Sequence, residues 1–192
     1  SAGNRMNIVV LDACRDNPFE ATASGKGLAQ LDAPPGTFLA YATAPGNVAE
    51  DGDAKSGHGL YTHFLLTELK KPRSKIEDVF KRVRFQVRQK SQGRQIPWES
   101  TSLEEDFFFN TRKVVAVAKP NERVREQAFA QEKADWDRIS ASKDADSFYD
   151  FLQKYPSGSI SEVAQAQLER LQKAQTLAVA NKDGIVQLPG AA

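Results

Sequence analysis

Apolar and β-branched residues run without interruption from Ile8 to Leu11, the pattern of a strand hidden on both faces in a parallel sheet. A central strand is expected at residues 7–13, with neighbours on both sides. A polar loop containing Gly and Pro follows as far as Gly36, and "TFLAYAT" (37–43) reads as a second strand. The glycine- and acid-rich loop "APGNVAEDGDAKSGHG" leads to an amphipathic helix expected near 59–70. Ser74 and Glu77 form an S-x-x-E capping box, after which Ile76, Val79, Phe80, Val83 and Val87 fall on one helical face. "DFFFN" (106–110) closes this region as a last strand.

From Thr111 the composition shifts. "RKVVAVAKPNE" reads as a connection, and beyond Pro120 the sequence is almost all helix-favouring. Three helices are expected, near 121–141, 144–155 and 159–174, with Ser159 and Glu162 a second capping box and "YPSG" the break between the last two. Trp136, Ile139, Phe148, Phe151, Leu152, Val163, Leu168 and Leu171 would make their core. The expected domains are an α/β unit over 1–112, a linker over 113–120, an α-helical domain over 121–175 and a flexible tail over 176–192.

The α/β region offers about three strands, too few to flank the first on both sides; a long apolar sheet edge would then face water, which proteins avoid. Another polypeptide, or a segment outside this sequence, is expected to complete the sheet. Size agrees with one ordinary domain plus a smaller one: 192 residues, 40% hydrophobic and 27% charged. With 26 basic and 25 acidic residues, no global field points to a polyanion. No apolar stretch approaches the roughly 20 residues of a membrane helix, and "SAGNRMN" is not a signal peptide. A soluble protein is expected, with cytoplasm favoured over periplasm. The single cysteine, Cys14, excludes an internal disulfide and a cysteine-rich zinc site.

Cys14 stands at the carboxyl end of the first strand, where open α/β sheets bind their ligands. Free cysteines are often buried as small apolar residues, so position alone leaves both roles open. Asp12 before it, Arg15 and Asp16 after it, and the polar loop beyond weigh towards chemistry.

"VVLDACRDNPF", followed by "FLAYATAPGNVAEDG" and "GLYTHFLLTEL", resembles the caspase-like cysteine peptidases, and most closely their bacterial caspase-domain, metacaspase and paracaspase-like branch. The resemblance covers residues 7–110. The caspase signature is Gln-Ala-Cys-[Arg/Gln/Gly]-Gly with a histidine about 50 residues upstream; here the run is Asp12-Ala13-Cys14-Arg15-Asp16. The resemblance implies a caspase-like sheet flanked by helices. It also implies that Cys14 is the thiolate attacking a peptide carbonyl, its own backbone N–H helping to hold the oxyanion. Where caspases carry Gln, this chain has Asp12; the related branch uses an acid there to bind the residue before the scissile bond, which favours Arg or Lys. A second acid from the loop after the "YAT" strand maps to Asp51, with Glu50 a near rival, or else these are residues of a solvated loop. Ala42, Thr43 and Ala44 would lie along the substrate backbone.

The family's catalytic histidine precedes the cysteine, on a strand that would fall before Ser1. His58, in "SGHG", superficially matches the family's His-Gly, and His63 lies inside the following helix; neither is expected to be the base. The histidine is therefore expected on an N-terminal fragment of the same precursor, forming a heterodimer of processed chains, unless "SAG" is an added remnant. If the enzyme cuts itself, an Arg or Lys should precede Ser1. The other reading is a catalytically silent caspase-like scaffold acting through its helices.

Residues 70–94 carry ten Lys or Arg against two acids, yet no aromatic platform accompanies them, so a solvated helix face is expected and nucleic acid is not. The helical end resembles a single tetratricopeptide-like unit, a protein-contact module or a spacer. Some members of the related branch use calcium, but the three acids of "EDGDAKSG" do not follow a calcium-loop pattern; no metal and no cofactor is expected. The implied partners are the histidine-bearing fragment, a protein or peptide substrate, and a protein bound by the helices; no membrane is implied.

Overall fold

A computed structural model describes residues 4, 6–12, 32–44, 49, 57–111 and 121–182, with side chains to residue 175. The chain divides into two compact units, Ser1–Ala116 and Val117–Ala192. The first is mixed α/β, the second α-helical.

In the first unit β1 (Asn7–Leu11) and β2 (Thr37–Tyr41) pair in parallel, from Asn7 opposite Thr37 to Leu11 opposite Tyr41. A strand not anticipated from sequence, β4 (Trp98–Thr101), runs antiparallel along the other side of β2, with Phe38 opposite Thr101 and Tyr41 opposite Trp98. The order β1-β2-β4 therefore puts β2 in the middle. All five β2 residues are buried, whereas Val9, Val10 and Leu11 of β1 are 39–40% exposed. Among the described residues β1 is therefore the edge and β2 the buried strand; the neighbour expected on the outer side of β1 is not one of the described strands. Polar stitches hold β4 in place, since the Thr37 N–H donates to Ser102 Oγ at 3.1 Å and the Ala33 N–H to Ser100 Oγ at 3.2 Å.

Helices α1 (Leu60–Leu69) and α2 (Ile76–Lys90) cover the face of β2 bearing Phe38, Ala40 and Ala42. The stripe Ile76, Val79, Phe80, Val83 and Val87 is wholly buried there, and the rings of Phe38 and Phe80 meet at 4.7 Å. Each such side chain contributes about 1.5–3 kcal/mol by leaving water. The expected capping box does not form. Ser74 belongs instead to the two-residue strand β3 (Ser74–Lys75), which pairs with β5 (Phe108–Phe109), and Lys75 takes the N-cap position without a side-chain bond. Charge supplies what the cap does not: Glu77 and Asp78 occupy the first turn of α2, and Arg88 and Lys90 the last, each sign matching the helix dipole. The "DFFFN" strand shrinks to Phe108 and Phe109, outside the main sheet.

The second unit contains α3 (Glu122–Ile139), α4 (Ala145–Lys154) and α5 (Ser159–Lys182). Asn121 caps α3 by accepting the Val124 N–H at 3.3 Å, and Asp144 caps α4 by accepting from Asp146 and Ser147. At α5 the predicted capping box is displaced: Ser159 is already helical, and the Glu162 N–H donates to the Gly158 carbonyl. Gly158 has φ +129°, a conformation that side chains disfavour. The backbone of α5 continues to Lys182, well past the expected end near 174. Phe148, Phe151, Leu152 and Leu168 form the core as predicted, joined by Tyr149 and Ala164. Trp136 is only half-buried, its ring 5.8 Å from that of Phe151. Val163, assigned to the core, is 54% exposed. Among the described residues no helix is long and apolar enough to cross a membrane.

Candidate active site

The two parallel strands end together. The Ala42 N–H donates to the Leu11 carbonyl at 2.9 Å, which carries the β1–β2 pairing one residue further and sets Asp12 beside the segment Ala42–Ala44. Asp12 is exposed at this carboxyl-terminal end. Its Oδ2 accepts a hydrogen bond from the Thr62 hydroxyl of α1. That helix has no side-chain cap at Gly59 and no acid of its own in the first turn, so the Asp12 carboxylate brings negative charge where the helix dipole favours it. Asp12, Ala42, Thr43 and Ala44 are thus brought together; Cys14, Glu50 and Asp51 lie outside the described residues.

The neighbouring strand end is held from beneath. Gln95 is wholly buried and donates its side-chain N–H to the Ala42 carbonyl at 2.8 Å, while its own backbone N–H donates to Ser91 Oγ at 3.0 Å. Ala42 and Thr43 have no exposed surface, and Ala44 is partly exposed. Sequence reading missed Gln95, which follows a turn with positive φ at Gln92 and Gly93; that turn was its only local signal. The Thr43 and Tyr61 hydroxyls are buried without a hydrogen-bond partner among the described residues. Burial, with the negative charges of Glu99 and Asp12 added, pushes the Tyr61 phenol far above its ordinary value, against a smaller opposing effect from Arg84. Tyr61 is consequently neutral. Arg84 and Glu99 form an ion pair that ties α2 to β4.

A second buried charge stiffens α1 against α2. Glu68, with no exposed surface, accepts from Lys71 Nζ at 2.6 Å, Arg82 Nε at 2.7 Å and Gln86 Nε2 at 2.6 Å. Burial alone raises its pKa, but these three donors outweigh that and leave it below the ordinary carboxylate value. Lys71, Lys75, Arg82 and Arg84 of the basic segment all have carboxylate partners.

Both histidines are exposed: His58 precedes α1, and His63 lies on it, its ring edge-to-face with that of Phe64 at 5.3 Å between centres. Among the described residues no group of three or more His, Cys, Asp or Glu side chains is placed to hold a metal ion. Met6, Pro35, Gly36, Leu103, Glu104 and Glu105 line an open cleft of about 350 Å³. It lies at the amino ends of β1 and β2, the opposite end of the sheet from Asp12, so its size does not make it the reaction site.

The model of the caspase domain matches residues 2–108, the stretch that holds the sheet, both helices packed on it and Cys14. The chain belongs to the caspase-domain family. This is a family of cysteine peptidases, and its match covers more than half of the sequence, leaving the three-helix unit outside. No curated protein matches the chain. The caspase domain thus comprises the β1-β2-β4 sheet with α1 and α2, and Asp12 stands at the carboxyl end of its first strand.

Proposed function

We propose that this caspase-domain protein is a cysteine endopeptidase that cuts after Arg or Lys, in the manner of the bacterial, metacaspase and paracaspase-like branch. The observation that carries the reading is Asp12: an exposed, hydrogen-bonded carboxylate at the carboxyl end of β1, two residues before Cys14. A carboxylate there attracts a substrate guanidinium or ammonium and repels an Asp side chain. Asp51, with Glu50 as its rival, supplies a second acid, and the Ala42–Ala44 segment meets the substrate backbone at its partly exposed end, Ala44.

In the reaction, the Cys14 thiolate attacks the carbonyl carbon, and the oxyanion is held in part by the Cys14 backbone N–H. The C–N bond breaks as the leaving amine takes a proton from a histidine, and water then hydrolyses the thioester to a carboxylic acid and the free thiol. The histidine belongs to an N-terminal segment of the same precursor, bound along the outer edge of β1. The consecutive, partly exposed Val9, Val10 and Leu11 support that placement, because apolar edges invite strand addition. The three-helix unit serves contact with a protein partner.

The test is cleavage of Arg-, Lys- and Asp-ending fluorogenic peptides by the complete enzyme. Cys14→Ala is expected to abolish cleavage. Asp12→Ala is expected to lower kcat/KM for Arg-ending peptides by about 10- to 100-fold, the worth of one charge-assisted hydrogen bond. Equal rates for wild type and Cys14→Ala would end the peptidase reading, and preference for Asp-ending peptides would end the assignment of Asp12.

A further inference from the structure

Thr62 uses its hydroxyl unusually for a helical threonine. On the same helix, Thr67 bonds back to the His63 carbonyl at 3.0 Å, the ordinary local arrangement. Thr62, two residues into the helix from Leu60, instead donates across 50 positions of sequence to Asp12 Oδ2. The carboxylate torsion of an aspartate is broad and nearly two-fold, so an unheld carboxylate turns freely. The main chain of β1 ends at Leu11, anchored by the Ala42 N–H. Beyond that anchor, the Thr62 hydroxyl bonds the carboxylate itself.

We propose that Thr62 is a positioning residue for substrate recognition, fixing the plane of the Asp12 carboxylate so that it selects Arg over Lys. The inference rests on Asp12 being the recognition carboxylate. An ionised carboxylate offers about four lone-pair positions. Thr62 uses one and leaves both oxygens able to accept the two parallel N–H bonds of a guanidinium. That fork needs a carboxylate of fixed orientation, whereas a lysine ammonium is a point charge that follows a turning one. Thr62 therefore acts on Arg recognition more than on Lys recognition, and on substrate binding more than on the acyl-transfer step.

The experiment compares wild type, Thr62→Val and Thr62→Ser in the complete enzyme, with matched Arg- and Lys-ending peptides. Thr62→Val is expected to raise KM for Arg-ending peptides about 10-fold, to change KM for Lys-ending peptides less than about three-fold and to leave kcat within about two-fold, a tenfold change corresponding to about 1.4 kcal/mol. Thr62→Ser, which keeps the hydroxyl, restores the Arg-to-Lys ratio. In an Asp12→Ala background Thr62→Val should add nothing further. An unchanged Arg-to-Lys ratio in Thr62→Val, equal losses for both peptides, or full additivity with Asp12→Ala would overturn the role of Thr62 while leaving Asp12 in place. A wild type that prefers neither basic peptide over the Asp-ending one overturns both assignments together.

Discussion

Glu68 is a buried residue whose ionisation bears on stability. Its folded pKa lies below the ordinary value of 4.5, so the carboxylate contributes stability in full above that pH and loses it as pH falls through the lower folded value. Glu68→Gln, which leaves Lys71 and Arg82 without their carboxylate, should reduce unfolding free energy by about 1–3 kcal/mol at pH 7. Below pH 4.5 the gap between wild type and variant should close, as read from denaturant midpoints across pH 7 to 3. An unchanged gap down to pH 3 would contradict this sign. Residues of this kind were not legible in the sequence. Glu68 meets Arg82 and Gln86 at separations of 14 and 18 positions, and Gln95 meets Ala42 at 53, so nothing local announces them. Asp12 and Cys14 could be singled out because their chemistry is written in neighbouring positions.

At the level of elements, continuous apolar runs revealed where strands lie but not their rank in the sheet. The apolar run of β1 reads as buried on both faces, yet only β2 has partners on both sides among the described residues. Strand β4 carries no apolar strand pattern, because "WEST" is short, three of its four residues are polar, and its exposure is that of an edge. The α2 stripe was read correctly, since five buried positions at helical spacing leave little choice of face. In α5 the same reasoning was less discriminating: Val163 and Leu168 were both assigned to the core, and only Leu168 is enclosed. Thermal or denaturant unfolding should separate them. Leu168→Ala is expected to cost about 2–5 kcal/mol through lost burial and a cavity. Val163→Ala should stay within about 0.5 kcal/mol. Comparable losses at the two positions would mean that α5 packs by a different face.

For the molecule as a whole, the outer edge of the caspase-domain sheet is the surface from which association is predicted. Val9, Val10 and Leu11 give β1 an apolar edge without the charges or prolines that usually guard one. The chain by itself should therefore associate in a concentration-dependent way, and Val9→Lys should suppress this with little change in melting temperature, as followed by light scattering. Association undiminished in Val9→Lys would place the contact elsewhere. The bond from Gln95 to the Ala42 carbonyl also bears on truncation. A chain that ended after α2 would lack Gln95 and would leave the buried Ala42 carbonyl without its amide donor. The end of β2 is thus fastened by a residue from beyond the turn after α2, and a truncation before Gln95 is expected to loosen that strand end while sparing the β1–β2 pairing.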